Sequence, residues 1–533
     1  MQSANYGAPN DILRQGASEE KGERAKLANL MGAVSVAEVV KSTLGPKGMD
    51  KILQSIDRNG SVRVTNDGAT ILNAIHIDNP AAKLLIDISK AQDEEAGDGT
   101  TSVTVLAGEL LRRAERLLLE HSIHPQTIID GFRAANELAT QTLAESSQDN
   151  SHDQAAYEQD LMNLARTTLS SKVVSLEKDH FAKLCVDAVL RLKGSMNLDM
   201  ITILKRIGGT MRESYLEPGF LLDKRIGMGQ PRELLNAKVM LANTSMDADK
   251  IKLFGAKVKV DSVAKLAEIE VAEKSRMHAK VDKICAHGID CFINRQLIYN
   301  YPEELFAQKG VMAIEHADFE GVERLARALG ADVLSTFDDS QEVRYGTVGR
   351  IDEVMIGEDT VIRFSGLQAG EACTIVLRGT SQHIVDEAER SIHDALCVIS
   401  QFVNNSRTVL GAGCSEMRMA TVVEEAARLT VGKKALAMEA FASALRSIPA
   451  ILAENAGLDS TQLVSGLRAA HTREKNCPMG IDIMNGELAD VRSLGVMESH
   501  HVKRSVVNLA TEAAEMILRV DTILRAVPRK QQH

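Results

Sequence analysis

Apolar residues recur at helical spacing through residues 19–43, where Leu27, Leu30, Met31, Val34, Ala37 and Val40 mark one face before the break Leu44-Gly45-Pro46-Lys47-Gly48. The pattern predicts a long helix that ends in a Gly/Pro turn. A short alternating run over 62–65 predicts a strand leading into Asn66-Asp67-Gly68, and helical runs follow from Ala69 towards His76 and over 81–95. The chain then reaches Ala96-Gly97-Asp98-Gly99-Thr100-Thr101-Ser102 and a further apolar-periodic stretch, 103–119. Helices are expected to about residue 146. The polar stretch 147–154, rich in Ser, Asp and Asn, reads as a boundary.

From about Leu216 the texture changes to short β-like runs between helices. Residues 239–242, 291–293, 312–314 and 333–334 predict strands, and 319–329 a helix between the last two. A strand-rich passage, 353–378, returns to a long helix over 382–400, and helices dominate to the end, 506–523 being the clearest. The layout predicts a helical domain that opens at the N-terminus, is interrupted by one or two α/β modules, and resumes at the C-terminus. Residues 528–533 read as a polar tail.

Composition narrows the class. The 533 residues suffice for about three domains, each with its own core. Aromatics make up only 3% and Trp is absent, so the core must be aliphatic. No run approaches the roughly 18 to 20 apolar residues of a membrane span, and residues 1–10 lack an apolar signal segment, so a soluble cytosolic protein without a membrane partner is expected. The seven cysteines have no Cys-x-x-Cys spacing, which predicts neither a zinc site nor a disulfide framework, and Cys414 beside Gly413 reads as a buried thiol before a nucleophile. A net charge of −11 argues against a nucleic-acid partner.

Local phosphate binding remains open to such a chain. Glycine turns that open into a helix gather backbone N–H groups at the positive end of the helix dipole, and an Asp there suits the magnesium that accompanies nucleotide phosphates. Gly97-Asp98-Gly99-Thr100-Thr101 has this form, yet by itself it reads first as a turn whose Asp or Thr caps the next helix. The usual phosphate loop is absent, and Gly411-Ala412-Gly413 lacks the third glycine of a dinucleotide fingerprint.

Taken together, Leu44-Gly45-Pro46-Lys47-Gly48-Met49-Asp50-Lys51, Asn66-Asp67-Gly68-Ala69-Thr70 and Gly97-Asp98-Gly99-Thr100-Thr101 resemble the nucleotide site of group II chaperonins, and Gly411-Ala412-Gly413-Cys414-Ser415-Glu416 and the C-terminal helices extend the resemblance over essentially the whole chain. Residues 291–302 and 370–393 resemble one subunit type of the eukaryotic cytosolic chaperonin rather than its paralogues. The resemblance implies a multidomain α/β chaperonin fold. Its equatorial ATP-binding domain, mainly helical, would be residues 1–146 and 404–533. A small intermediate α/β domain would be 147–216 and 369–403, and an apical α/β domain 217–368, with a helical lid protrusion at about 246–280. It also implies paralogous subunits in an eight-membered ring stacked as a double ring, with unfolded clients of the actin and tubulin class.

Roles follow residue by residue. The resemblance makes Asp98 the magnesium ligand, and gives Gly99, Thr100, Thr101 and Ser102 the phosphates of ATP or ADP. Gly45 and Pro46 would let the backbone approach the nucleotide, with helix termination as the rival reading. Asp67 would sit beside the γ-phosphate, against a turn-capping role. Asp394 matches the carboxylate that orients or deprotonates the attacking water, although the residues alone make it an ordinary helix-face Asp beside Arg390, with Asp386 as a decoy. A base carried by a different domain would make hydrolysis conditional on domain closure. Thr167, Ser171 and Lys172 resemble the segment that senses the γ-phosphate. Gly411 and Gly413 would approach ribose and adenine, Gly480 the base, and Glu498 the ribose hydroxyls, with Lys503 nearby. In the apical region, the alternating run 250–260 and the charged helix 262–284 belong to the lid, the stripe Val263, Leu266 and Ile269 reads as packing, and His278 and His287 read as surface or packing residues. An ATP-driven folding subunit is thus the leading class, with a scaffold that binds ATP but hydrolyses little as the alternative. A small-molecule enzyme lacks any second catalytic constellation.

Overall fold

The computed structural model describes residues 18–54, 62–192, 197–246, 263–315, 317, 319–337, 343–367 and 372–525. The run 250–260, the stripe Val263, Leu266 and Ile269, and the terminal segments 1–10 and 528–533 lie outside the described residues or side chains. The chain divides into two compact units, one formed by Met1–Lys178 with Ser391–His533 and the other by Asp179–Arg390.

The first unit is built on long helices. Thr100–Leu119, Pro125–Ser146, Lys433–Asn455 and His500–Arg519 bury a shared aliphatic core that includes Leu106, Leu110, Ile128, Leu445 and Val507. Phe132 and Phe441, both fully buried, meet edge to face at 5.8 Å between ring centroids, the favoured aromatic geometry. The helix Lys433–Asn455 is, by length and composition, apolar enough to cross a membrane, which corrects the expectation that no stretch approaches one. It lies in this core, with Ala437, Phe441, Ala444 and Leu445 fully buried. The first helix spans Glu23–Lys41, shorter than the periodicity suggested. Ser18–Lys21 before it is a strand, paired antiparallel with Thr522–Arg525, and the last helix stops at Arg519 ahead of that pairing. Between them, Arg407–Leu410 pairs antiparallel with Met497–Ser499 on one side and Gln148–Asp149 on the other.

Among the described residues, the second unit carries two sheets. One contains Met312–Ile314, Cys291–Asn294, Glu233–Ala242, Gly346–Ile356, Asp359–Leu367 and Gly219–Leu222 in that order, with Val333–Leu334 pairing Glu233–Ala242. The other places Cys373–Gly379 between Ile201–Ile207, parallel, and Tyr215–Glu217, antiparallel. Helices Val263–Ala286 and Phe319–Leu329 fall where the pattern put them. His278 is an exposed partner of Asp282, and His287 contacts the Tyr345 hydroxyl at 3.0 Å. The helix Gln382–Asn404 belongs to the second unit through Arg390 and to the first from Ser391.

Candidate functional site

Two helix N-termini meet in the first unit. Gly68–Ala74 starts where a Cβ on Gly68 would lie 2.7 Å from Thr101 Oγ1 and 2.8 Å from Thr101 N, so glycine permits the contact. Asp67 caps that helix, its Oδ2 accepting from Thr70 N at 3.0 Å and Thr70 Oγ1 at 2.6 Å, while Oδ1 accepts from Thr100 Oγ1 at 3.0 Å. The capping role and the place in the cluster are therefore held by the same carboxylate. The helix Thr100–Leu119 differs, because its N-cap is Gly99 in the left-handed region and no side chain caps the first turn. Neither Asp98 nor Thr100 caps it, and the N–H groups of Thr100, Thr101 and Ser102 stand at the positive end of the dipole.

The loop before this helix is held from three sides. Gln92, fully buried, donates through Nε2 to Asp98 O at 2.8 Å and accepts from Ser505 Oγ at 2.8 Å. A Cβ on Gly99 would come within 2.9 Å of Val506, and one on Gly97 within 2.3 Å of Cys397 Cβ. The last contact brings the helix bearing Asp394 directly onto the loop. Asp98 uses Oδ1 to accept from Gly99 N at 2.7 Å.

Asp394 is 5% exposed and bonded to Lys172 Nζ at 2.8 Å, so it is not the helix-face residue that local pattern suggests. Arg390 instead donates to Glu387 at 3.2 Å. The decoy, Asp386, is an open surface partner of Lys205. Around Lys172 stand three carboxylates. Burial works against the ammonium, but Asp394, Asp67 and Asp98 more than reverse this and keep it charged. Burial raises Asp67 too, yet Lys172, Thr70 and Thr100 outweigh it and hold the carboxyl below its usual range. Desolvation raises Asp98 against the pull of Lys172. Asp394 is lifted by burial to about 8, opposed by Lys172 and reinforced by Asp67 and Asp98. One ammonium cannot balance three carboxylates: Asp67, with three hydrogen bonds, stays low, while Asp98 and Asp394, with one each, are raised.

A second cluster lies at the other end. The turn Gly411-Ala412-Gly413 follows Arg407–Leu410, with Ala412 at φ 54° and Gly413 at φ 78°. Alanine here takes the left-handed conformation that the missing glycine would have adopted freely. Gly480 packs on the turn, and its Cβ would lie 3.0 Å from Ala412 O. The Glu498 carboxylate stands over Gly411, and Lys503 bridges Glu498 Oε2, at 2.7 Å, and Glu416. Burial raises Glu498, whereas Lys503 overrides burial to keep Glu416 low. Glu416 was not singled out in the sequence, although it ends the quoted Gly411 motif. Asp98 feels the charge of Lys503, which links the two clusters.

The Gly45 turn and the Gly413 turn abut the same helix. A Cβ on Gly45 would strike Leu452 Cδ2 at 2.5 Å and one on Gly413 would lie 2.7 Å from Pro449 Cβ, while Asn455 donates to Lys41 O and Leu44 O. Pro46 is exposed. Thr167 spends its hydroxyl on Asn163 O at 2.8 Å, and Ser171 enters through its carbonyl, which accepts from Asn66. Asn66 is a further residue that the motif contained without assigning. Its Oδ1 is buried with no partner. Cys414 is inert as a nucleophile, since burial lifts its thiol to about 12 and Sγ points at Cys477 O.

These residues fit a nucleotide with magnesium. The uncapped first turn and the orphaned Asn66 Oδ1 offer polar atoms to a ligand, and Asp98 has one carboxylate oxygen to which nothing among the described residues donates. Among the described residues no group of three or more His, Cys, Asp or Glu would hold a metal alone. Magnesium held by one or two carboxylates and the phosphates themselves needs no such group.

Comparison with known proteins gives the family. The model of the TCP-1/cpn60 chaperonin family matches residues 36–528. T-complex protein 1 subunit beta of Homo sapiens is 59% identical over 524 residues, 98% of each chain, and that of Arabidopsis thaliana 57% over 521 residues, again 98% of each. The Dictyostelium discoideum protein of that name is 59% identical over 526 residues, 99% of this chain and 98% of the relative. With a matching model over most of its length and such relatives from animal, plant and amoeba, the chain belongs to the TCP-1/cpn60 chaperonin family.

Proposed function

We propose that this chaperonin subunit works as the beta position of a hetero-oligomeric cytoplasmic double ring, binding and hydrolysing Mg·ATP to drive the folding of non-native proteins. The names of its relatives support the subunit reading. Eight-membered rings, a built-in lid and clients of the actin and tubulin class belong to the same proposal, as do the equatorial, intermediate and apical boundaries at residues 146, 216, 368 and 403.

The observation that carries hydrolysis is the convergence of Asp394 and Lys172 on the uncapped start of Thr100–Leu119, beside Asp67 and Asp98. Magnesium, when bound with the nucleotide, supplies a Lewis acid that neutralises phosphate charge and would be held by Asp98. Thr100, Thr101 and Ser102 bind phosphate oxygens through their N–H groups. Lys172 balances charge developing on the transferred group. Asp394 accepts the proton of the attacking water, a task suited to a carboxyl raised towards neutral pH. Glu498, aimed over Gly411, orients the ribose.

In the purified ring, Asp394→Ala is expected to preserve ATP affinity while slowing hydrolysis at this position by about 10²-fold or more. The scaffold reading draws on one observation, that Lys172 already occupies Asp394 at 2.8 Å. Single-turnover phosphate release unchanged by the substitution would favour it.

A further inference from the structure

The helix His500–Arg519 begins at Ser499, and no side chain caps its first turn. His500, its first residue, is 5% exposed, and both Nδ1 and Nε2 are buried without a hydrogen-bond partner. A neutral imidazole has one donor and one acceptor to satisfy, so this ring leaves two polar atoms desolvated.

The surroundings are cationic. Arg504 lies at i+4 from His500, on the same helix face, and Arg407 begins the neighbouring strand Arg407–Leu410. Burial holds His500 in its neutral form, and Arg407, Arg504 and His501 push the same way, which places all three within electrostatic reach of the ring. Both arginines are exposed, and neither forms an ion pair with a carboxylate among the described residues. The acid facing Arg407 across the strands, Asp149, already accepts from Ser151 N at 3.0 Å and Ser406 Oγ at 2.8 Å.

We propose that Arg407, Arg504, His500 and the first turn of His500–Arg519 form a binding site for a phosphate-class oxyanion, separate from the nucleotide cluster. Two guanidinium groups offer fork-shaped donors, the helix start adds N–H groups and a favourable dipole, and the buried imidazole supplies another donor once an anion is present. Burial strengthens the bond that His500 makes. The same helix carries Lys503, which holds Glu416 and Glu498, and Val502 and Val506, which pack on Gly99. An anion at its first turn therefore bears on the helix that supports the nucleotide cluster, and the site is suited to an effector role. The binding claim does not depend on ATP hydrolysis by this chain.

Calorimetric titration of the full chain with inorganic phosphate, against chloride at matched ionic strength, tests it. Saturable binding is expected, weakened about tenfold by Arg407→Gln and by Arg504→Gln, the loss of one charged hydrogen-bonding group in each case. Arg473→Gln, at an exposed position on another helix, should leave the affinity unchanged. Phosphate affinity that survives both substitutions would assign the binding to the nucleotide cluster and overturn the proposal. Absence of saturable binding, or an equal loss in all three variants, would overturn it as well.

Discussion

At the residue scale, the proposed chemistry rests on three carboxylates that share Lys172. Burial raises the Asp394 carboxyl to about 8. The sign of its effect on stability follows from proton counts. Between the ordinary carboxylate value, near 4, and 8, the folded chain holds a proton that the unfolded chain releases, so this group makes folding less favourable as pH rises through that window. Asp394→Asn should flatten that part of the stability profile of the nucleotide-free chain, as followed by urea unfolding at stepped pH. Hydrolysis should show the opposite slope, rising with pH as the base loses its proton. Lys172 opposes the shift, so Lys172→Met is expected to move the rate profile to higher pH, and an unmoved profile would remove Asp394 as the base. Legibility was uneven here. Asp67, Asp98, Thr100 and Thr101 stand in glycine turns that sequence exposes, because positive φ and close approach favour glycine locally. Lys172 and Asp394 are separated by 222 positions, and no local spacing encodes their bond. The resemblance pointed to Asp394 where the residue pattern did not. Gln92 acts through burial and its two hydrogen bonds, and Asn66 through a buried, unpaired amide oxygen, neither of which a local pattern encodes.

At the element scale, glycines set how closely the loops and helices of the site approach. Gly97, at φ 68°, lies where a methyl group would fall 2.3 Å from Cys397 Cβ, one turn beyond Asp394 on the same helix. Gly97→Ala adds left-handed strain of about 1 to 2 kcal/mol and a steric wedge between loop and helix. The expected result is a lower melting temperature together with a fall in hydrolysis that exceeds the fall in nucleotide affinity, measured on the same preparation. Equal losses in both would mean that the loop, rather than its contact with the Asp394 helix, had been disturbed. Periodicity located most of the helices within a few residues and missed the pairing of Ser18–Lys21 with Thr522–Arg525. Those two strands lie at opposite ends of the sequence, and polar four-residue runs such as Ser18-Glu19-Glu20-Lys21 carry no alternating signal.

At the scale of the whole molecule, the interrupted layout was legible because helix-period and strand-period stretches alternate along the chain in blocks. Asp179–Arg390 is continuous and contains hydrophobic clusters of its own, around Val239 and Phe364 and around Phe292 and Phe306. Expressed alone, it should unfold in one cooperative transition, monitored by circular dichroism against urea. A broad, non-cooperative melt would contradict the division. The first unit is placed differently, because its core joins helices on both sides of this insertion, with the Thr100–Leu119 helix packed on Lys433–Asn455 and His500–Arg519. A ribosome adds about 5 to 20 residues each second, so the N-terminal half of that core must wait on the order of tens of seconds while residues 179–390 and the rest are made. During that interval Leu106, Leu110 and Phe132 have no C-terminal partners to cover them. A subunit of a protein-folding family is thus, during its own synthesis, an aggregation-prone client for as long as its last helices are unmade.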